Sequence, residues 1–154
     1  RGTAAPSTEL PAFAAVQQLL EARSRSLTGM MHTAYTAEFF EWRFDPAMHR
    51  WLGDPVAGYV VYRLRRRGHL TELLLGDVWP GTSSAGALVR RAIRHEWPDI
   101  VISWTTTDHP LYRELRLAGF ITQRGRALNL GLRCPDGQEP TVTPALMAAD
   151  VDTF

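Results

Sequence analysis

The chain contains no lysine; all seventeen of its basic residues are arginine. Sixteen Asp and Glu hold the formal charge to +1, which excludes a strongly basic protein built for wholesale nucleic-acid binding. Cys134 is the single cysteine, so neither an internal disulfide framework nor a cysteine-based metal site can form, and a cytoplasmic setting is expected. No apolar run approaches the roughly 18–20 residues a membrane span needs. Metal-ligand spacing is missing too. His32 and His49 have no suitable neighbours, and Asp136, Glu139, Asp150 and Asp152 are too scattered for a calcium loop. The first residue is Arg1, not methionine, so the loose opening RGTAAPSTEL reads as part of a longer protein.

What is present suits one soluble domain of 154 residues. Pro11–Arg23 carries apolar residues at helical spacing, with Ser7 and Thr8 as expected caps. The aromatic stretch from Met30 to Phe44 places Thr36 as the cap of a short helix starting at Ala37; its rings serve either as core or as a groove lining. Pro55–Leu64 alternates as a strand and turns at Gly68-His69, beside Arg63, Arg65, Arg66 and Arg67, into a second strand from Leu70.

Leu70–His95 organises the rest. A hydrophobic strand enters a glycine- and serine-containing turn, and a helix over Ala85–Trp97 follows, capped by Ser83 or Ser84, with Leu88, Val89, Ala92, Ile93 and Trp97 as its apolar stripe. Helix N–H groups opening onto such a turn either hold an anion or simply begin a structural unit. Strand alternation puts Glu72 and Asp77 on opposite faces unless a bulge intervenes, so each is a candidate general base only by itself. Ile100–Thr105 predicts a central strand covered on both faces, and Pro110–Ala118 a short helix with Asp108 as its cap. Gly119-Phe120 stops that helix, and strands are expected around Ile121–Thr122 and Arg126–Arg133.

This order of elements, with EFFEWRFDPAMHRW, the turn at Trp79–Ser84, LYRELRLAGF and the terminal ADVDTF, resembles the GNAT N-acetyltransferase superfamily over roughly Thr36 to Arg133. Within it, the chain looks like the carboxyl-terminal domain of a bacterial tandem GNAT-like protein linked to cell-envelope or polysaccharide modification. The resemblance implies an α/β (α+β) fold: a mixed, mostly antiparallel central sheet with a splayed parallel strand pair, flanked by helices. It implies a single domain over residues 1–154, loose over 1–10.

Acetyl-CoA would be the cofactor, with no metal. Its pantetheine would enter between Leu75–Val78 and Ile102–Trp104, and its pyrophosphate would rest on Val78, Gly81, Thr82, Ser83, Ser84, Ala85 and Gly86. A small-molecule amine or aminosugar would be acylated, with Glu72 or Asp77 as base and Tyr112 as acid. Two residues depart from the family pattern: no arginine stands between Pro80 and Leu88, and Leu115 occupies the place of the usual tyrosine four residues before Gly-Phe. Two functions therefore stand side by side. One is an acyl-CoA-dependent N-acyltransferase; the other is a noncatalytic accessory or substrate-binding domain supporting an upstream GNAT-like domain or acting in a homo-oligomer.

Overall fold

The computed structural model describes residues 6–122 and Met147. Eight elements follow in order: α1 (Phe13–Ser26), α2 (Ala37–Arg43), β1 (Arg50–Asp54), β2 (Gly58–Arg67), β3 (Leu70–Pro80), α3 (Ala85–Glu96), β4 (Ile100–Ser103) and α4 (Pro110–Leu117). They build a mixed sheet in the order β1-β2-β3-β4, antiparallel through β3 and parallel between β3 and β4. This is the expected α/β class. The strand expected over Arg126–Arg133, Cys134 and the acidic tail lie outside the described residues.

Period-two alternation along the strands divides the core between the two sheet faces. On one face Leu52, Val60, Tyr62, Leu73, Leu75 and Val78 pack with α3 and α4. On the other Trp51, Tyr59, Val61, Leu74 and Trp79 pack with Val16, Leu20, Phe40 and Phe44 of the α1 and α2 layer. Most of the aromatic stretch is thus core: Phe40 and Phe44 are fully buried, and their rings stand 5.8 Å from that of Trp79. Trp42 is the exception, at 69% exposure.

Local caps set the helix starts. Thr36 accepts from the Phe39 amide at 3.2 Å, and Ser84 from the Ala87 amide at 3.3 Å, each satisfying an N–H that the first helical turn leaves over. Three expected details are corrected. The residue before α1 is Ala12, with no side-chain cap, while Ser7 exchanges backbone hydrogen bonds of 2.8 and 2.7 Å with Trp51 at the sheet edge. His109, not Asp108, caps α4, its Nδ1 accepting from the Leu111 amide at 3.1 Å. Trp97 leaves the apolar stripe: ahead of Pro98 the helical conformation is disfavoured, and the residue turns left-handed at φ 47° with its side chain 84% exposed.

β4 is the last strand of the sheet among the described residues, and it is only partly buried. Beyond it Thr105 forms a bridge with the buried Met147. At the far end of α3, Glu96 accepts from Tyr62 at 2.8 Å and from Arg50 at 3.1 Å, fastening the helix to β1 and β2.

Candidate functional site

The proposed site lies where β3 outruns its parallel partner. Pairing of β3 with β4 ends at Leu75↔Ser103, yet β3 continues through residues 76–80. At the same point its pairing with β2 slips, because Tyr62 faces Leu75 and Val61 faces Asp77. Gly76 is therefore the extra residue of a β-bulge, which resets the alternation of everything after it.

The reset moves Asp77. Plain alternation puts it with Leu73 and Leu75, opposite Glu72; after the bulge it faces the α1 layer on the same side as Glu72 and Leu74. Sharing a face does not make the carboxylates partners, since five residues of strand separate them by about 15 Å. Each is engaged by its own arginine. Glu72, buried on the α1 and α2 side of the sheet, accepts from Arg65 Nε at 2.7 Å across the hairpin. Asp77, fully buried, is ion-paired to Arg23 of α1, and the Tyr35 hydroxyl donates to the same oxygen at 3.3 Å. Its second oxygen accepts from the Val78 amide at 2.7 Å. Arg23 also lies over the Tyr35 ring, 5.7 Å from its centroid.

Arg23 is a functional candidate that the sequence reading missed, and Tyr35, read there only as core or groove lining, joins it on Asp77. They lie 54 and 42 residues from Asp77, and no local spacing signals the contact. Both also line a pocket of about 290 Å³ between α1 and the segment leading to α2. Phe13 supplies an apolar wall, and Gln17, Glu21 and His32 a polar one. The pocket thus touches the same buried cluster that holds Asp77 on the carboxyl-terminal end of β3.

Tyr112, the candidate acid, points its hydroxyl to Thr122 Oγ1 at 2.9 Å. Leu115, at the place where the resemblance implies a tyrosine, is a core residue with Leu111.

The other candidates, Val78, Gly81, Thr82, Ser83, Ser84, Ala85 and Gly86, run from the end of β3 through the turn at residues 81–84 to the start of α3. Val78 is a fully buried core residue. The turn packs on the loop between β1 and β2, itself shaped by Asp54 accepting from the Val56 and Ala57 amides. Two glycines permit this approach. A Cβ on Gly58, at φ 103°, would meet the Trp79 carbonyl oxygen at 2.4 Å, and one on Gly81 the Val56 carbonyl oxygen at 2.3 Å. The Gly81 and Ser83 amides both donate to the Ala57 carbonyl at 3.1 Å, and the Thr82 amide to that of Val56 at 2.8 Å. Ala87 is bonded to Ser84, and the Ala85 amide donates to the Glu114 carboxylate of α4 at 3.0 Å. At most the amides of Ser84 and Gly86 are left for a ligand. Over Gly86 sits Arg90, whose Nη1 would lie 3.3 Å from an added Cβ.

A diphosphate needs several converging N–H donors and positive charge. This corner has spent most of its donors within the chain and holds a carboxylate at the head of α3. The described residues here do not fit the diphosphate of acyl-CoA. Nor do they gather a metal, since among the described residues no three His, Cys, Asp or Glu side chains converge.

No protein-family model matches the chain, and no curated protein matches it. Solved structures do. One described as a probable acetyltransferase superposes with a TM-score of 0.52 at 15% identity, over 80% of this chain and 96% of its own. A proposed acetyl transferase from Pyrococcus furiosus gives a TM-score of 0.47 at 14% identity, over 77% and 93%. At such identity the likeness is one of fold, shared with the structure described as a probable acetyltransferase.

Proposed function

We propose that this chain is a noncatalytic member of the acetyltransferase fold, a substrate-binding or accessory domain. It holds a small-molecule amine or aminosugar in the pocket beside α1. A second GNAT-like domain, upstream in the same protein or in another copy, supplies the acyl-CoA site. A cytoplasmic setting belongs to the reading, in keeping with the lone cysteine.

One observation carries it: the Gly81, Thr82, Ser83 and Ala85 amides are already donated to Val56, Ala57 and Glu114. A sheet needs only its apolar pattern to persist, whereas a diphosphate site needs unspent donors. Calorimetric titration with acetyl-CoA tests this. The reading expects no saturable heat up to millimolar ligand; one-to-one saturable binding overturns it.

A second reading, an autonomous N-acyltransferase using acetyl-CoA, is favoured by the run of β3 over residues 76–80, which among the described residues pairs with β2 but not with β4. An open strand edge is suited to an extended amide chain. Under it Asp77 or Glu72 would take the amine proton after releasing its arginine, and Tyr112 would return a proton to the thiolate. Release of free thiol from acetyl-CoA by the isolated chain with an amine acceptor would establish it.

A further inference from the structure

We infer that Glu114 is the resident anion of α3: its carboxylate occupies the head of that helix, clamps α4 to it, and excludes a ligand diphosphate from the corner. The inference rests on the accessory-domain reading and names the residue that enforces it. Leu111 and Leu115 are four residues apart and both buried, so they fix which side of α4 meets the core. Glu114, beside Leu115, is thereby aimed at α3, where its Oε2 accepts from the Ala85 amide at 3.0 Å.

An anion is favoured at that position by the unsatisfied N–H groups and the helix dipole. Once a carboxylate holds the amide, a phosphate at the same point meets a like charge at contact distance and has no donor to gain. Arg90 and the Ala118 methyl line the side of Gly86 that a Cβ would occupy. The usual sign of an anion corner is here the sign of its occupant.

Amide NMR of the wild-type chain, Glu114→Gln and Ala85→Pro tests this. Proline suits the first helical position, and Ser84 before it is already extended at ψ 154°, so Ala85→Pro deletes the donor while retaining the helix. In the wild type, neither acetyl-CoA nor inorganic pyrophosphate at millimolar concentration should move the Ala85 or Gly86 amide resonances. Glu114→Gln should speed hydrogen exchange of the Ala85 amide on the order of tenfold, as a charge-assisted bond becomes a neutral one. Both single variants should melt below the wild type, and the double variant should melt no lower than the weaker single one, because both act on the same contact.

Saturable movement of Ala85 and Gly86 by either probe in the wild type overturns the inference, as does unchanged Ala85 exchange in Glu114→Gln or additive melting losses. Acetyl-CoA binding that shifts amides elsewhere and spares this corner would defeat the accessory-domain reading but leave the inference standing.

Discussion

Replacing Asp77 with alanine removes the fully buried half of an ion pair whose other half, Arg23, lines the pocket beside α1. Asp77 is fully buried, and the Arg23 side chain is 9% exposed. Breaking a buried pair from one side typically costs about 3–5 kcal/mol. A domain of this size loses roughly 2–4 °C of melting temperature per kcal/mol, so Asp77→Ala should melt about 6–20 °C lower. Arg23→Met leaves the carboxylate with the Tyr35 hydroxyl and the Val78 amide as donors and should cost a similar amount. The double variant leaves neither charge, so its loss should fall short of the sum of the singles by at least about 2 kcal/mol. Urea unfolding followed by circular dichroism, with the slope unchanged, is the assay. A loss below about 1 kcal/mol for Asp77→Ala, or additivity within about 0.5 kcal/mol, would refute the buried pair as the tie between α1 and β3.

Three further outcomes are expected. Gly81→Ala drives a methyl toward the Val56 carbonyl and should destabilise by about 1–3 kcal/mol in the same assay, whereas an open phosphate loop would tolerate it. Ser84→Ala deletes the cap of α3 and should cost about 1 kcal/mol, measured by thermal melting. His49 is held below the ordinary histidine value of 6.5, first by burial and then by the Arg63 and Arg43 charges, against an opposing bond to Asp45. The unfolded chain thus binds the His49 proton at higher pH than the folded one, so this contribution is complete above pH 6.5 and is lost as pH falls below it. Unfolding curves at successive pH values should show that slope in the wild type and a flatter one in His49→Gln.

Much of the fold was legible because its signals are local. Thr36 before Ala37 and Ser84 before Ala85 cap helices by chemistry confined to a single turn, and the strand faces follow from alternation on β2. The side of Asp77 was not legible beyond a conditional. Whether Gly76 bulges is decided by how β3 registers against β2, and a period-two pattern contains no such information. Trp97 deceived the helical pattern because Pro98 acts on the backbone of its predecessor and leaves the side chain's spacing unchanged. The site was harder still. Arg23 and Tyr35 reach Asp77 across 54 and 42 residues, and Glu114 reaches Ala85 across 29. The glycine- and serine-containing turn read as a cradle because a turn with open amides and one that has turned them inward share the same residue types.

Amide hydrogen exchange across the turn tests the closed corner most directly. With the Gly81, Thr82, Ser83 and Ala85 N–H groups bonded inside the chain, their exchange should be slowed well below that of an open loop, and to the same degree with and without acetyl-CoA. Exchange at open-loop rates in the free chain, slowing when acetyl-CoA is added, would contradict it and return the turn to the role of a cofactor cradle.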